Sequence, residues 1–407
     1  MPIGATYDPL GEHLQDPYPF YERARAETPV FYSPLLESWV VTRHDDLTTV
    51  LRDPETYSSA RALPVVLPVA EEALAVVAKG RPQLPDVVQS DGEAHARMRA
   101  PLAAALRPDR VAAMEPALRE RAVALAAAVR EGGGRAELMT AYAIPLTQAA
   151  IGLLCGFDEE LAVRTYSLMD SLVRLGSQRQ TEPEQMASAE AGAELAAVVA
   201  RLLRERRAAP GDDAFSLVAA SMAEGDRPLT PLEEAEAVGN LMQLVIAGQV
   251  TTAPLLGGAV ALLLGERGGE EWRRIAADRS LVPAAVEELV RLVAPASGLY
   301  RETTRPVTLG GVDLPEGARL VLRYNAACRD PAKYDRPHEL DLGRSPNRHL
   351  AFGRGPHYCV GAPLARLQLT ITLEVLPDAL PGLRLAAPVA LRPTLDVRHP
   401  EAVHVAW

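Results

Sequence analysis

The stretch from Thr230 to about Leu264 constrains the fold more than any other. Thr230-Pro-Leu-Glu-Glu234 reads as a helix start, with threonine at the N-cap, proline in the first helical position and acids in the first turn. The apolar, helical character then continues for more than 30 residues, which predicts one long central helix. Its midpoint is weakened. Ala247-Gly248 places a glycine where alanine would be more stable by about 1 kcal/mol. Thr251-Thr252 follows, and threonine hydroxyls can bond back to carbonyls four residues earlier and bend a helix. Two readings stand: something bulky lies against the midpoint, or Gly248 permits close packing of another helix.

A second stretch carries chemistry. Phe352-Gly-Arg-Gly-Pro-His-Tyr-Cys-Val-Gly361 sets Cys359 in a glycine-punctuated loop just before a helical run at 362–376. Free N–H groups and the helix dipole favour a thiolate at such a place. The sulfur could serve as nucleophile, metal ligand or buried thiol. With Cys155 and Cys328 the cysteines are three in number and show no metal-type pairing, so a disulfide framework is not expected. Net charge of −11 argues against nucleic acid or an anionic membrane as partner. The N-terminal twenty residues lack a basic segment followed by an apolar run, and no window holds about 18 uninterrupted apolar residues. A soluble cytoplasmic protein is expected.

Elsewhere the pattern is mainly helical with small sheets. Tyr18–Glu27 and His44–Arg52 read as helices, and 29–33 with 38–42 as a hairpin. Residues 60–90 are apolar and irregular, broken by Pro64, Pro68, Pro82 and Pro85; such a segment either covers a ligand or is a plain surface loop. Residues 91–131 and 137–205 are helical, and Gly225–Arg227 is a turn. His95 and Arg99 are four apart and share a helix face. Val282–Val293 is a helix carrying Glu288 and Arg291, a spacing that by itself most often marks a surface ion pair. Strands are expected near 28–42, 305–323 and 381–407, and a partly helical stretch at 325–334. No repeats or linkers interrupt the chain, so 1–407 is expected to form a single domain.

Taken in order, these features resemble the bacterial soluble cytochrome P-450 family of haem-thiolate monooxygenases. The loop matches the pattern Phe-x-x-Gly-x-His/Arg-x-Cys-x-Gly at each fixed position; Glu288-Leu-Val-Arg291 matches Glu-x-x-Arg; Arg344 lies 15 residues before Cys359. Ala247-Gly248-x-x-Thr251-Thr252 matches the middle of the family's long distal helix, and His95-x-x-x-Arg99 a motif that binds haem propionates. The resemblance implies the cytochrome P-450 fold, with a long distal helix over haem b (heme b). It implies Cys359 as the axial thiolate; His95, Arg99, Arg301 and His349 on the propionates; and Ala247, Gly248, Phe352, Gly353, His357 and Gly361 against the cofactor. Gly353, Gly355 and Gly361 would let the backbone approach the porphyrin. Glu288, Arg291 and Arg344 would form a structural triad behind the loop. Gly248 would give dioxygen room, and Thr251, with Thr252 beside it, would guide protons to it.

One position departs from the family. The residue before the threonine is usually Asp or Glu, whereas here it is Val250, preceded by Gln249, and valine carries no proton. Gln249 or ordered water could substitute, a remote acid could act through Thr251 or Thr252, or the chemistry could need no such relay. The expected reaction is oxidation, by hydroxylation or epoxidation, of a small secondary-metabolite intermediate. The alternatives are non-hydroxylating chemistry (oxidative coupling, ring closure, peroxide use or atom transfer) and a non-catalytic binding or recruitment module. By resemblance the substrate is lined by Val65, Val66, Val87, Val88, Gln243, Ile246, Gln249, Ser297, Leu299, Tyr300 and Val397. Electrons would come from a ferredoxin and its ferredoxin reductase, docking on Arg97, Arg107, Arg110, Arg354 and Arg366. The protein is expected to act as a monomer.

Overall fold

Capping chemistry starts the long apolar helix where the sequence places it. In the computed structural model, which describes residues 2–80, 84–225 and 227–407 apart from the side chain at 267, Thr230 Oγ1 accepts the Glu233 N–H at 3.3 Å. Glu233 Oε2 reciprocally accepts the Thr230 N–H at 2.8 Å, and the helix begins at Pro231. Pro82 and the middle of the turn at 225–227 lie outside the described residues. The helix does not run on unbroken: Pro231–Val250 ends, Thr251 intervenes, and Thr252–Gly265 follows. Pro254 accounts for the interruption. It has no N–H for the carbonyl of Val250, four residues earlier, and its ring crowds that carbonyl. Among the described residues Pro231–Gly265 is also the one unbent stretch long and apolar enough to cross a bilayer; 67% of its most apolar window is buried inside the protein, as in a core helix.

The chain divides into two compact units. One comprises Met1–Ala62, Pro116–Leu146 and Thr251–Trp407. It carries all of the described sheets. The hairpin of Val30–Ser33 and Ser38–Val41 pairs in parallel with Arg319–Arg323, which pairs antiparallel with Gly298–Thr303, and Tyr57–Ser58 closes the edge. Val30, Val41, Leu47, Leu51, Leu320 and Leu322 are buried together beneath this sheet. The helix His44–Arg52 packs its Leu47, Val50 and Leu51 into that core, because apolar residues three and four apart fall on one face. The 381–407 region holds only Arg384–Leu385 and His404–Ala406, fewer strands than its composition suggests.

The other unit, Leu63–Glu115 and Thr147–Val250, is helical throughout. The 60–90 stretch is less irregular than expected: it contains the helix Glu71–Gly80 and the turn Val87–Gln89. Glu71–Gly80 packs closely on Glu182–Ala208, and a Cβ at Gly80 would meet Ala193 at 2.7 Å. Asp86 caps the Val87–Gln89 turn, and Asn240 Oδ1 accepts the Val87 N–H at 2.9 Å, which pins the turn to Pro231–Val250.

Candidate active site

The Cys359 loop is built by its glycines. Gly353 and Gly355 hold φ of +67° and +71°, the left-handed region that glycine enters without a Cβ clash. The Cys359 N–H donates to Phe352 O at 2.9 Å and closes the loop. Helix Ala362–Ala379 starts immediately after Gly361, so the sulfur sits at a helix N-terminal end, where negative charge is favoured. Cys359 is partly exposed, whereas Cys155 and Cys328 are fully buried. Burial pushes both of those thiols up, that of Cys328 to about 11, and leaves them inert. A Cβ at Gly361 would meet Cys359 Sγ at 3.9 Å and nothing nearer, so the backbone beside the sulfur faces open space. Gly355 serves differently from expectation: a Cβ there would meet the Leu51 carbonyl at 2.1 Å, so this glycine lets the loop press on the end of His44–Arg52. His357 Nε2 lies 3.0 Å from Ser59 Oγ, a brace within the protein.

Two adjacent glutamates on Val282–Val293 fasten the loop. Glu287 accepts a forked pair of hydrogen bonds from Arg366 at 2.6 and 2.9 Å and faces His349 Nε2 at 3.2 Å. The Arg366 guanidinium lies over the Phe352 ring, 4.6 Å from its centre. Burial raises the Glu287 carboxyl, but hydrogen bonds from Arg366 and His349 outweigh it and lower the pKa to about 2. Nothing in the sequence marked Glu287 beyond its position beside Glu288.

Glu288, on a different side of the helix, meets Arg291 and Arg344. Both side chains of the Glu288–Arg291 pair are 0% exposed, joined at 2.7 and 2.8 Å, which overturns the surface reading of that spacing. Arg344 Nε reaches Glu288 Oε1 at 3.0 Å, and Asn347 Nδ2 and the Asp341 N–H, also at 3.0 Å, complete the shell around the carboxylate. Arg291 spends its other donors on the carbonyls of Cys328, Pro337 and Glu339. The cluster thereby stitches the long 328–347 segment to the helix. Burial raises the Glu288 carboxyl, yet the Arg291 hydrogen bonds and charge, with Asp341 and Arg344, bring its pKa below the ordinary value.

Buried cations test whether haem suits this unit. Arg301 is 3% exposed; among the described residues it has one hydrogen bond, from Nη1 to the Tyr300 carbonyl at 2.6 Å, and no carboxylate partner. His349 Nδ1 is buried without a hydrogen-bond partner. A guanidinium out of water needs an anion. A half-exposed thiol at a helix start, an open glycine backbone, a buried guanidinium and a buried ring nitrogen form a donor set that fits a porphyrin iron and its carboxylates.

In the helical unit, His95 and Arg99 share one face of Gly92–Ala105, the first buried and the second half-buried. Ala247 is exposed. Gly248 is corrected towards the packing reading: a Cβ there would meet Ile151 Cδ1 at 2.4 Å, so its hydrogen faces helix Ile144–Cys155. Gln249 is 0% exposed, with Nε2 bonded to the Val245 carbonyl at 3.1 Å, and so borders no open space for a substrate.

Tyr300 is a further correction. Side chains alternate along Gly298–Thr303, so Tyr300 points away from the face that carries Leu299 and Arg301. It is 2% exposed on the face of Arg323, and its hydroxyl is not available to a ligand. Of the other expected lining residues, Val65 is exposed; Val66, Val88, Gln243, Ile246, Leu299 and Val397 are partly exposed; and Val87 and Ser297 are buried. The arginine patch does not stand either. Arg97 pairs with Glu236, Arg107 with Asp109, Arg110 with Asp212 and Arg366 with Glu287, which leaves only Arg354 of the five without an acid partner among the described residues.

Comparison with known proteins places this geometry. Residues 181–376 match the cytochrome P450 family. The chain is 34% identical to nocardicin C N-oxygenase of Nocardia uniformis subsp. tsuyamanensis, over 98% of each chain. It is 32% identical to the cytochrome P450 monooxygenase PikC of Streptomyces venezuelae, covering 96% of this chain and 91% of that one. Among solved structures, cytochrome P450 CREJ in complex with (4-ethylphenyl) dihydrogen phosphate superposes with a TM-score of 0.91 at 29% identity, over 99% of this chain and 100% of the other.

Proposed function

The chain belongs to the cytochrome P450 family and is a monooxygenase-type oxidoreductase that uses haem b with a cysteine thiolate as axial ligand; from that premise we propose that Cys359 is the ligand and that the substrate is a small natural-product intermediate. The observation that carries the assignment of Cys359 is the contrast among the three cysteines: one half-exposed at a helix start, two sealed in the core. Haem held this way supplies dioxygen activation, with the thiolate pushing electron density that favours O–O cleavage.

The chain's own residues set the conditions for that chemistry. Arg301 and His349 Nδ1 would hold propionate carboxylates by charge-assisted bonds, and His95 and Arg99 would serve the same role by motif. Phe352, held under Arg366, would keep water from the sulfur side, with Gly353 and Gly361 leaving the backbone close and bare. Thr251 Oγ1 is the group proposed to pass protons, with Thr252 next to it. Val250 offers no acid, but its carbonyl has lost a helical donor to Pro254. That acceptor, beside Thr251, can anchor a water in place of the acid. Val66, Val87, Val88 and Ile246 suit an apolar substrate, and Gln243 adds one hydrogen-bonding group. The nitrogen oxygenation in the name of the nocardicin relative supports a natural-product substrate.

A ferredoxin and its reductase are proposed as electron donors, and the chain is proposed to work in the cytoplasm as a monomer. Val250 favours a second reading, in which haem-thiolate chemistry couples, closes a ring or uses peroxide. Turnover of candidate substrates under ¹⁸O₂ with ferredoxin and reductase separates the two: label in the product supports monooxygenation, and an oxidised product free of label supports the second reading.

A further inference from the structure

Many arginines of this acidic chain are matched with carboxylates, and three that are not gather at one place. A cleft of about 290 Å³ beside the helix His44–Arg52 is lined by Arg52, Arg348 and Arg354, none of which has a carboxylate partner among the described residues. Lys333 also lines it, paired at 2.7 Å with Asp45, the one acid on the cleft wall, so the three guanidinium groups remain uncompensated. Two buried side chains face the same need. Tyr334 is 4% exposed and His44 is 6% exposed; both line the cleft, and Tyr334 Oη and His44 Nδ1 are buried without hydrogen-bond partners. Asp45 is 3.7 Å from His44 Nδ1, beyond hydrogen-bond reach. Leaving such buried atoms without partners is unfavourable, and one polar occupant would satisfy both.

The donor and acceptor pattern narrows the occupant. Guanidinium forks match the paired oxygens of a phosphate. The tyrosine hydroxyl can donate to a phosphate oxygen. His44 Nε2 lies 3.3 Å from the Arg348 carbonyl, to which it can only donate, so in the neutral ring Nδ1 is an acceptor. Hydrogen phosphate carries an O–H for such an acceptor, and sulfate does not. We propose that this cleft is an oxyanion site for hydrogen phosphate, free or as the terminal group of a phosphomonoester, outside the residues assigned to haem and substrate. Two of its walls give it reach. Arg354 belongs to the Cys359 loop, and the Tyr334 ring lies under Arg291, 4.9 Å away, so an occupant would touch both the loop and the cluster that braces it.

Isothermal titration of the haem-loaded protein with potassium phosphate, at ionic strength held constant with chloride, tests the site. Saturable binding is expected, at least tenfold tighter than that of sulfate. It should weaken at least tenfold in the double variant Arg52→Gln/Arg348→Gln and be unchanged in Arg107→Gln, whose arginine is paired elsewhere. The exposed positions of Arg52 and Arg348 make misfolding avoidable, and Tyr334→Phe, which removes only the hydroxyl, should weaken binding independently of them. Glycerol 3-phosphate in place of phosphate decides the source: equal or tighter binding points to a phosphomonoester, weaker binding to the free ion. Heats that match chloride, or a double variant that binds as the wild type does, would overturn the site. So would a cleft indifferent to phosphate whose arginines instead govern the salt dependence of electron delivery, since that describes a protein-docking patch.

Discussion

Arg291→Met should be among the most destabilising single changes in this protein. The arginine is 0% exposed and makes five hydrogen bonds: two to Glu288, at 2.8 and 2.7 Å, and three to the carbonyls of Cys328, Pro337 and Glu339. Methionine fills similar volume but offers no donor. Removing one partner of a buried ion pair costs about 3–5 kcal/mol. Arg344, Asn347 and the Asp341 N–H remain on Glu288 and soften that loss. The three abandoned carbonyls add to it, at about 1–3 kcal/mol for each that finds no water. A loss of roughly 4–6 kcal/mol is therefore expected, a large part of the 5–15 kcal/mol typical of a folded protein. Arg291→Lys keeps the charge but lacks the fork and should recover only part of the loss. Urea denaturation of the haem-loaded protein, followed by far-UV circular dichroism and haem absorbance, reads both. Arg107→Gln, which breaks an exposed pair, is the control and should change stability by less than about 1 kcal/mol. If Arg291→Met lies within 1 kcal/mol of the wild type, the buried cluster does not brace the loop segment as described.

Gly355→Ala should be destabilising for two reasons, a φ of +71° that costs about 1–3 kcal/mol for a residue with a Cβ and a clash with the Leu51 carbonyl. Gly382→Ala, at φ +86° with nothing near its Cβ, should lose only the first part, and equal melting temperatures for the two variants would count against the clash. The Glu287 carboxyl, lowered to about 2, contributes stability that is complete above the ordinary carboxylate range near pH 4.3 and lost as pH falls towards 2. Glu287→Gln should therefore flatten the acid limb of the urea midpoint from about pH 4.3 down towards 2, while parallel limbs would dismiss the linkage. Val250→Glu should raise the coupling of NAD(P)H use to product severalfold, and Pro254→Ala, which returns an N–H to the Val250 carbonyl, should lower it; unchanged coupling in both would remove the proposed water anchor.

Local signals carried much of the fold. His44–Arg52 and Tyr18–Glu27 fall where the sequence pattern and the flanking prolines put them, because their determinants lie within a few residues. Gly298–Thr303 was hidden, since glycine, arginine and glutamate give it little strand character and pairing with distant Arg319–Arg323 decides its state. The resemblance sets Tyr300 beside a substrate, but the alternation of the strand turns it away. Glu71–Gly80 was masked by the prolines around it. Charges are equally blind to their partners. Arg97 and Glu236 are 139 residues apart, so five arginines in sequence suggested a patch that ion pairing dissolves. The break at Thr251 has a local cause in Pro254, whose missing N–H interrupts the ladder. The cysteine loop was legible because glycine positions, cysteine and the following helix are all local, whereas Glu287 and Asn347 become visible only once the 328–349 segment folds back on Val282–Val293.

The central claim is that Cys359 alone among the three cysteines holds the haem iron. Reduced, CO-bound absorption spectra of the haem-loaded wild type and of Cys359→Ser, Cys155→Ser and Cys328→Ser test it directly. The account predicts the red-shifted Soret band of thiolate-ligated haem in the wild type and in the two core variants, and its loss in Cys359→Ser alone. A Cys359→Ser protein that keeps the band, or a wild type that never shows it, would contradict the account.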